Sequence, residues 1–543
     1  MKHDVVVIGA GITGLATAAL LAKDGHRVTV LERGRRVGGR VGLYQRDGFT
    51  FDTGPSWYLM PEVFDHFFRL MGTSAAQELD LERLDPAYRV FGQDYAEPLD
   101  IRSDLEDTVR VFEGVEPGAG QRIRDYVASA DLTYQLAVRH FLYTSFGSPK
   151  AFARLLHPQV LRNIPRLGRH LLGSLHNLTH RTVTDTRLRQ ILGYPAVFLA
   201  SRPRETPSMY HLMSRMDLAD SVQYPDGGFF TIIGAVERLA RQHGVTIRLD
   251  AEVDQIVTDP VSAASRLGLV KHGVGKHLPG QHTARVRGVS WRSADGAQHF
   301  QAADRVVSAG DLHHLETRMV EPHLQTYPQK RWDRQQTGPG AVLVLLGVQG
   351  DLPELTHHNL FFTRDWDTNF SAIFDQPTRV PDPASIYVCK PSATDASVAP
   401  EGHENLFVLV PVPADVSIGH GNDDGAGSPQ VEAVADRVIE QIGQWAGVAD
   451  LSERVVVRRT IGPEDFAKDY HAWLGNVLGP AHTLRQSAFL RGRMRSRHIE
   501  GLHYCGSTTI PGIGLPMCLI SAENVLKDFR GDTSTGPLPE PTV

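Results

Sequence analysis

The first forty residues predict a buried strand, a glycine turn, an apolar helix and a second strand, in that order. Residues 4–8 form an apolar run of strand length that leads directly into Gly-Ala-Gly-Ile-Thr-Gly at 9–14. The alanine- and leucine-rich stretch up to Gly25 has the length and pattern of a buried helix, and residues 27–31 return to a strand pattern. This order is that of a dinucleotide-binding unit.

Each glycine of this turn has a separate physical role. Gly9 permits the tight turn, Gly11 lets the backbone approach a pyrophosphate, and Gly14 allows the helix to pack closely on the sheet. The phosphates are expected at the helix N-terminus, where free N–H groups favour negative charge. Glu32, eighteen residues after Gly14, is placed to accept hydrogen bonds from a ribose without a 2′-phosphate.

The hydrophobic pattern returns to this arrangement at the other end of the chain. Residues 501–506 predict a strand that ends in glycine, and residues 518–529 predict a helix. The loop between them, 507–517, is fixed by glycine and proline. Residues 224–257 and 303–311 also give turn, helix and strand patterns that lead back to the nucleotide. Residues 340–412 indicate a second, largely antiparallel sheet, whereas residues 258–285 are polar and predict a mobile hairpin insertion.

A basic amphipathic segment interrupts the middle of the chain. Residues 132–184 contain no Asp or Glu, but they contain seven Lys or Arg and five His. Apolar residues recur there at helical spacing from Val160 to Leu178, with arginine and histidine on the opposite side. Such a segment either lies in an anionic bilayer interface or packs its apolar side on its own domain. Taken alone, the pattern favours packing.

Composition sets the outer limits of the function. The 543 residues require two or three domains, and the net charge of −6 gives no reason to expect nucleic acid as a partner. Three scattered cysteines predict neither a disulfide framework nor a metal site. The first strand leaves no room for a signal peptide, and no apolar run is long enough to span a bilayer. We expect a cytoplasmic protein, or one attached peripherally to the inner face of the cell membrane.

Four passages together make the chain similar to a known family. They are residues 9–40, 51–56 (Phe-Asp-Thr-Gly-Pro-Ser), 224–228 (Tyr-Pro-Asp-Gly-Gly) and 506–517. The run from Glu32 to Arg40 resembles the extended fingerprint of flavoproteins that bind FAD. As a whole the chain resembles the bacterial-type phytoene desaturases, within the carotenoid desaturase and isomerase branch of the FAD-dependent amine oxidase-like oxidoreductases. Residues 391–395 with 399–402 also match a passage of that family.

The resemblance implies a fold and a set of domains. We expect an α/β protein with a Rossmann-like FAD-binding domain of the GR2 type, built from residues 1–75, 224–315 and 480–532. Residues 76–223 and 316–479 are expected to form a substrate domain of mixed sheet and helices, with a membrane-associating helical region at 132–184. The tail, residues 533–543, is rich in Pro, Thr and Gly and is expected to be disordered.

The resemblance also implies a function and a site. We expect non-covalent FAD, stepwise desaturation of phytoene toward lycopene or a less desaturated product, and reoxidation by oxygen or a quinone. Because phytoene is found in the bilayer, this raises the expectation that residues 132–184 dock on a membrane. The predicted cofactor-binding residues are Gly9, Ala10, Gly11, Ile12, Thr13, Gly14, Glu32, Arg33, Gly38, Gly39, Arg40, Gly54, Pro55, Ser56, Val253, Gly506, Ile513, Gly514, Leu515, Pro516 and Met517.

Catalytic side chains are poorly specified. Arg162 lies where the family has an arginine, but without a carboxylate in 132–184 an Asp–Arg acid–base pair is absent from that segment. Arg162 can still stabilise charge, bind lipid phosphate or serve as a surface residue. The remaining acid–base candidates are Asp226 and Glu464, or no side chain at all. Cys505, beside Gly506, is not expected to bond to the flavin because the family binds FAD without a covalent link.

Three alternatives stay open. The first is another carotenoid oxidoreductase or isomerase, acting on a C30 or hydroxylated substrate. The second is a flavin amine oxidase, whose chemistry commonly uses a lysine near the flavin. Nine lysines occur in this chain, and none is assigned to that place. The third is a non-catalytic FAD-binding escort or carrier.

Overall fold

The computed structural model describes residues 2–144, 162–163, 168–261, 282–487 and 490–541. Within these ranges, none of the helices combines the length and the apolar character needed to cross a bilayer. The strands are β1 (Asp4–Ile8), β2 (Arg27–Leu31), β3 (Leu43–Arg46), β4 (Phe49–Asp52), β5 (Leu81–Arg83), β6 (Tyr88–Gly92), β7 (Leu99–Ile101), β8 (Gln223–Pro225), β9 (Thr246–Arg248), β10 (Ala251–Pro260), β11 (Ala284–Ser293), β12 (Gln298–Ala302), β13 (Arg305–Ser308), β14 (Gly340–Gln349), β15 (His358–Phe362), β16 (Ile386–Cys389), β17 (His403–Val412), β18 (Val455–Ile461), β19 (Ile499–Glu500) and β20 (Leu502–Tyr504).

The α-helices of six or more residues are numbered separately. They are α1 (Ile12–Lys23), α2 (Pro61–Leu70), α3 (Leu105–Val115), α4 (Ala119–Ala137), α5 (Leu175–Thr182), α6 (Thr186–Gly193), α7 (Met213–Leu218), α8 (Phe230–Gln242), α9 (Trp366–Phe374), α10 (Pro429–Ala446), α11 (Pro463–Tyr470) and α12 (Leu515–Arg530).

A five-stranded parallel sheet organises the nucleotide end of the molecule. Its order is β20-β13-β1-β2-β9, and every neighbouring pair is parallel. The last residues of three strands are in register, since Ile8 pairs with Ser308 and Ser308 pairs with Tyr504. The carboxyl ends of strands far apart in sequence therefore meet at one edge, where ligands bind in open α/β sheets.

Helix α1 approaches this edge closely because its third residue is glycine. A Cβ placed on Gly14 would lie 1.9 Å from the carbonyl oxygen of Gly9 and 3.3 Å from Cβ of Ala309. On its other sides α1 packs against α8 and α12. The predicted role of Gly14 in close helix–sheet packing follows directly from these distances.

A seven-stranded sheet forms the second layer. Its order is β18-β14-β17-β16-β15-β6-β7, antiparallel except for the parallel pair β15 and β6. Every residue of β14 before Gln349 is buried, as expected for a strand covered on both faces. Helix α10 packs its apolar side, including Val431, Val434 and Val438, on one face of this sheet.

Two motif carboxylates hold the turn between β8 and α8. The Asp52 carboxylate accepts hydrogen bonds from the backbone N–H groups of Phe229 (2.7 Å) and Phe230 (3.1 Å) at the start of α8. Asp395 accepts one from Gly227 N at 2.8 Å. Burial raises the pKa of Asp52 to about 7. Three family passages, 51–56, 224–228 and 391–395, thus meet in space. Asp52 and Asp395 hold the backbone of the turn before α8.

The C-terminal tail differs from its prediction. Residues 533–541 pack on α12, whose buried Lys527 donates to the carbonyl oxygens of Ser534 (2.9 Å) and Gly536 (2.6 Å). Glu523, also buried, accepts from Leu538 N at 2.6 Å. The prediction of disorder was wrong for these residues, because composition does not reveal that the tail satisfies two buried charges of α12.

The helical region 132–184 is described only in part. Leu175 is fully buried and Leu178 packs against the main core, as expected for a helix that packs on its own domain. Leu172 is 79% exposed, and Arg162 and Arg169 are exposed. Most of the predicted insertion, residues 262–281, lies outside the described residues, and its flanks pair as the hairpin β10–β11.

Substituting Gly14 tests the packing of α1. Gly14→Ala should lower the melting temperature and the retained dinucleotide sharply, because its methyl group collides with rigid backbone. The matched control is Gly234→Ala in α8, where an added Cβ meets nothing within 4 Å. Replacing a helical glycine in open space should stabilise by about 0.5–1 kcal/mol. Equal effects of the two substitutions in thermal unfolding would contradict this account.

Candidate functional site

A cavity of about 1010 Å³ opens at the carboxyl edge of the parallel sheet. It begins at the turn after β1, passes the loops after β13 and β20, and continues beneath the seven-stranded sheet. Its first part is lined by glycines and charged residues, and its far part by aromatic and aliphatic side chains. A polar compartment and an apolar one are therefore continuous.

The predicted cofactor-binding residues gather in the first compartment. All of them except Ala10 and Gly14 line the cavity. These two have backbone roles, since Ala10 N donates to Glu32 and Gly14 contacts the turn. Segments from four distant parts of the sequence, around Gly9, Gly54, Val253 and Gly506, thus share one wall.

Glu32 occupies the end of β2 as predicted. Its Oε2 accepts from Ala10 N and its Oε1 from Gly34 N, both at 2.7 Å. These hydrogen bonds connect the glycine turn at residues 9–14 to the glycine-containing run at 32–40. Because a carboxylate has four acceptor sites, Glu32 retains the capacity to accept from a ribose hydroxyl.

The charges around the turn fit an anionic pyrophosphate. Gly11 is the N-cap residue of α1 and offers no side-chain cap, so the first N–H groups of the helix are not paired with a capping side chain at the cavity. The buried Nε of Arg40 has no hydrogen-bond partner among the described residues, and its guanidinium lies 5.6 Å from the centre of the Tyr470 ring. Arg33 is anchored by donating to the carbonyl oxygen of Lys468 at 2.6 Å. A diphosphate would supply an acceptor for this nitrogen.

The C-terminal loop brings a second helix N-terminus to the same cavity. Helix α12 begins after Gly514 without a side-chain cap, and residues 510–518 line the cavity. Gly506 N is held by Ser521 Oγ at 3.0 Å. Cys505 points away, with its Sγ 3.8 Å from Thr17 Oγ1 on α1, and it does not line the cavity.

Aromatic rings line the far part of the cavity, which we call the aromatic compartment. Trp57 packs against Phe198 at 5.4 Å and Tyr194 at 5.9 Å between ring centres. Tyr194 also contacts Phe362 at 6.5 Å, and Trp366 packs against Phe362 at 4.8 Å and Phe370 at 5.4 Å. The remaining apolar lining includes Leu59, Met60, Phe141, Leu142, Val197, Leu212, Met213, Met216, Leu360, Ile373, Phe374 and Leu409.

A buried carboxyl group lies behind this wall. The hydroxyls of Tyr194 and Tyr88 donate to Asp217 Oδ2 at 2.8 and 3.0 Å. Burial raises the pKa of Asp217 to about 7. The two hydrogen bonds fix the Tyr194 ring at the cavity surface and join β6 to α7.

Charged groups in the cavity are confined to the nucleotide side. Of the described residues that line it, none is a lysine, and its carboxylates are Glu32, Glu252, Asp311 and Asp469. The buried Lys390 donates instead to the carbonyl oxygen of Leu352, at 2.7 Å. Among the described residues, the aromatic compartment therefore offers neither a carboxylate for an ammonium group nor the lysine that amine oxidation commonly uses.

The three catalytic candidates lie away from the cavity. Asp226 is exposed in the turn after β8, and its backbone N–H donates to Asp80 O at 2.9 Å. Glu464 faces His420 at 3.3 Å on the surface, and Arg162 is exposed. None of them lines the cavity. Their catalytic roles stay predictions.

The aromatic wall was not identified from the sequence. Trp366, Phe370 and Phe374 recur every fourth residue on α9, within a region that was read as strands. That spacing is a helical stripe and was the available signal. Tyr194 and Phe198 come from short helical pieces whose pattern is too brief to assign a face.

Comparison with known proteins shows which family this chain is similar to. Residues 12–525 match the family model described as flavin containing amine oxidoreductase. The chain is 38% identical over 532 residues to a carotenoid 3,4-desaturase of Haloarcula japonica, covering 98% of each protein. It is 32% identical over 524 residues to a zeta-carotene-forming phytoene desaturase of Myxococcus xanthus, covering 96% of this chain and 92% of the relative.

A solved structure supports the fold. Putrescine oxidase bound to putrescine superposes with a TM-score of 0.59 over 98% of this chain and 99% of that chain, at 15% identity. At this identity the likeness concerns the fold alone. The family match and the two relatives confirm the predicted resemblance and the predicted cofactor. The chain belongs to the flavin containing amine oxidoreductase family and, within it, to the carotenoid desaturases, and it is an FAD-dependent oxidoreductase.

Proposed function

We propose that this protein desaturates phytoene stepwise, converting C–C to C=C bonds toward lycopene or a less desaturated product. The observation that carries the proposal is the aromatic compartment that continues directly from the dinucleotide site. A long hydrocarbon has no polar handle, so it is held by apolar area and excluded water. Names of the relatives support the same substrate class.

FAD is proposed to lie along the predicted residues. Gly9–Gly14 and Arg40 hold the pyrophosphate, Glu32 the adenosine ribose, and Val253 the adenine side. The flavin end lies against Gly54–Ser56, Gly506 and Ile513–Met517, where the polar compartment meets the aromatic one. When bound, FAD supplies the acceptor for a hydride removed from carbon.

The protein supplies position and electrostatics. Trp57, Tyr194 and Trp366 line the compartment, and aromatic rings stabilise positive charge that develops on carbon as a hydride leaves. No described carboxylate, lysine or arginine lines that compartment, so the proton is expected to pass to water or another small acceptor. Oxygen or a quinone is proposed to reoxidise the flavin.

A second candidate is desaturation of an already conjugated carotenoid. It is favoured by the greater identity to the 3,4-desaturase, 38% against 32% for the phytoene desaturase. The amine oxidase alternative is disfavoured because no carboxylate or lysine of the described residues lines the aromatic compartment. An escort or carrier would bind FAD and hydrocarbon without reducing the flavin.

Anaerobic incubation with phytoene in liposomes tests the reaction. The oxidised flavin absorbance should disappear while products with longer conjugation accumulate, whereas putrescine should leave the flavin oxidised. Phe370→Asp places a carboxylate in the apolar compartment and should lower the rate at least tenfold with FAD retained. Phe300→Asp, at a 49% exposed ring on β12, is the matched control and should keep the rate.

The outcomes separate the candidates. Flavin reduction by a conjugated carotenoid but not by phytoene would assign the second candidate. Reduction by putrescine alone would assign an amine oxidase. If no substrate reduces the flavin in protein that retains FAD, the result would support the escort or carrier alternative.

Peripheral membrane attachment is proposed for the region around Leu172. This side chain is 79% exposed, and exposed Arg162, Arg169 and Arg181 belong to the same basic segment. An exposed leucine gains free energy in the acyl boundary, and arginines are attracted to anionic lipid by about 1 kcal/mol each. Attachment would bring a bilayer-borne hydrocarbon to a cavity that Phe141 and Leu142 also line.

Vesicle sedimentation tests the attachment. The triple variant Arg162→Gln, Arg169→Gln, Leu172→Gln should bind anionic vesicles at least tenfold more weakly than the parent. A matched variant on remote surface, Arg110→Gln, Arg437→Gln, Val456→Gln, removes the same charge and one 49% exposed apolar side chain, and should bind unchanged. Equal binding of the two variants would exclude this region as the membrane contact.

A further inference from the structure

Three potential metal ligands meet behind Trp57, outside the cavity lining. One ring nitrogen each of His357 and His358 and the sulfur of Cys389 lie within 4.8 Å of one another. All three residues are buried, with exposures of 4%, 0% and 1%. Imidazole nitrogen and thiolate sulfur are the ligand types preferred by zinc and copper ions.

Strand pairing creates this group. His358 opens β15 and is the direct antiparallel partner of Cys389 at the end of β16, so their side chains leave the same face of the sheet. His357 precedes β15, and its carbonyl oxygen accepts from Lys390 N at 2.8 Å. The histidine rings are 4.6 Å apart between centres. Residues more than thirty positions apart are thus brought together by regular sheet geometry.

The hydrogen bonds of the two histidines leave the same atom free on each ring. Nδ1 of His357 pairs with Thr394 Oγ1, and Nδ1 of His358 with the Tyr387 hydroxyl, both at 2.8 Å. Nε2 of each ring is buried without a partner. A buried polar atom without a partner is unfavourable, because it has given up its hydrogen bonds to water without replacing them. Ligating histidines characteristically bind metal through one nitrogen while the other is oriented by a hydrogen bond.

We propose that His357 Nε2, His358 Nε2 and Cys389 Sγ bind one thiophilic metal ion, Cu⁺ or Zn²⁺. Charge favours Cu⁺, because one Cu⁺ ion, one thiolate and two neutral imidazoles have a net charge of zero. Burying a neutral site costs less free energy than burying a charged one. Zn²⁺ leaves one positive charge in the same place. The hard ions Mg²⁺ and Ca²⁺ are excluded by the absence of an oxygen ligand in this set.

The ion would also orient a hydrogen-bond chain at the cavity wall. Metal on His358 Nε2 places the ring proton on Nδ1, which then donates to the Tyr387 oxygen. The Tyr387 hydroxyl is left to donate to Ser56 Oγ, 2.6 Å away. Ser56 and Tyr387 both line the cavity. The ion is therefore a structural clamp between β15 and β16 that fixes the polarity of these two hydroxyls.

Metal retention by the FAD-loaded protein tests the proposal. The protein is incubated anaerobically with Cu⁺ or with Zn²⁺, desalted, and its metal measured by mass spectrometry. One equivalent should remain in the parent and in Cys505→Ser, a matched control at a buried cysteine elsewhere. Cys389→Ser should retain less than a tenth of an equivalent. Retention of Cu⁺ alone or Zn²⁺ alone supports the site and identifies the ion.

A milder variant guards against loss of folding. Thr394→Val keeps the volume but removes the partner of His357 Nδ1, and should weaken the metal affinity 10–100-fold without loss of FAD. Metal retained equally by Cys389→Ser, or retained by no folded form of the protein under either ion, would overturn the proposal.

Discussion

Close contact between α1 and the turn after β1 is the constraint on which the rest of the structure depends. A side chain at residue 14 would enter the backbone of Gly9, so the helix reaches the sheet edge only with glycine there. Because β1, β13 and β20 end in register, the same edge collects the glycine turns that follow each strand. Two uncapped helix N-termini, those of α1 and α12, then face one space. The continuous cavity is a consequence of this packing.

The sequence was most informative where local backbone geometry decides the residue type. The turn at 9–14 and the loop at 506–517 are rich in glycine or proline. Glycine adopts backbone angles that other residues rarely adopt, and proline fixes φ. The predicted cofactor-binding residues line the cavity, apart from Ala10 and Gly14, and their contacts with FAD stay a prediction. Asp52 and Asp395, by contrast, sit in recognisable motifs, yet their function in capping the turn before α8 emerges only from tertiary contacts.

The substrate compartment illustrates what sequence did not reveal. Its aromatic rings come from short helices and strand ends, so no single stretch of sequence contains their pattern. The aromatic residues spaced along α9 predict one face of a helix, but they do not predict which part of the protein that face contacts. The ordered tail has the same origin, because Lys527 and Glu523 are satisfied by residues that composition marks as disordered. Long-range pairing likewise unites His358 and Cys389, which in the sequence appear as an unremarkable histidine and a lone cysteine.

The central claim is that one cavity holds FAD and the hydrocarbon end to end. A structure determined with both bound tests it most directly. The account predicts the adenosine beside Glu32, the flavin ring between Ser56 and the 513–517 loop, and the polyene between Trp57 and Trp366. A polyene seated elsewhere, or a flavin ring separated from the aromatic compartment by protein, would contradict it.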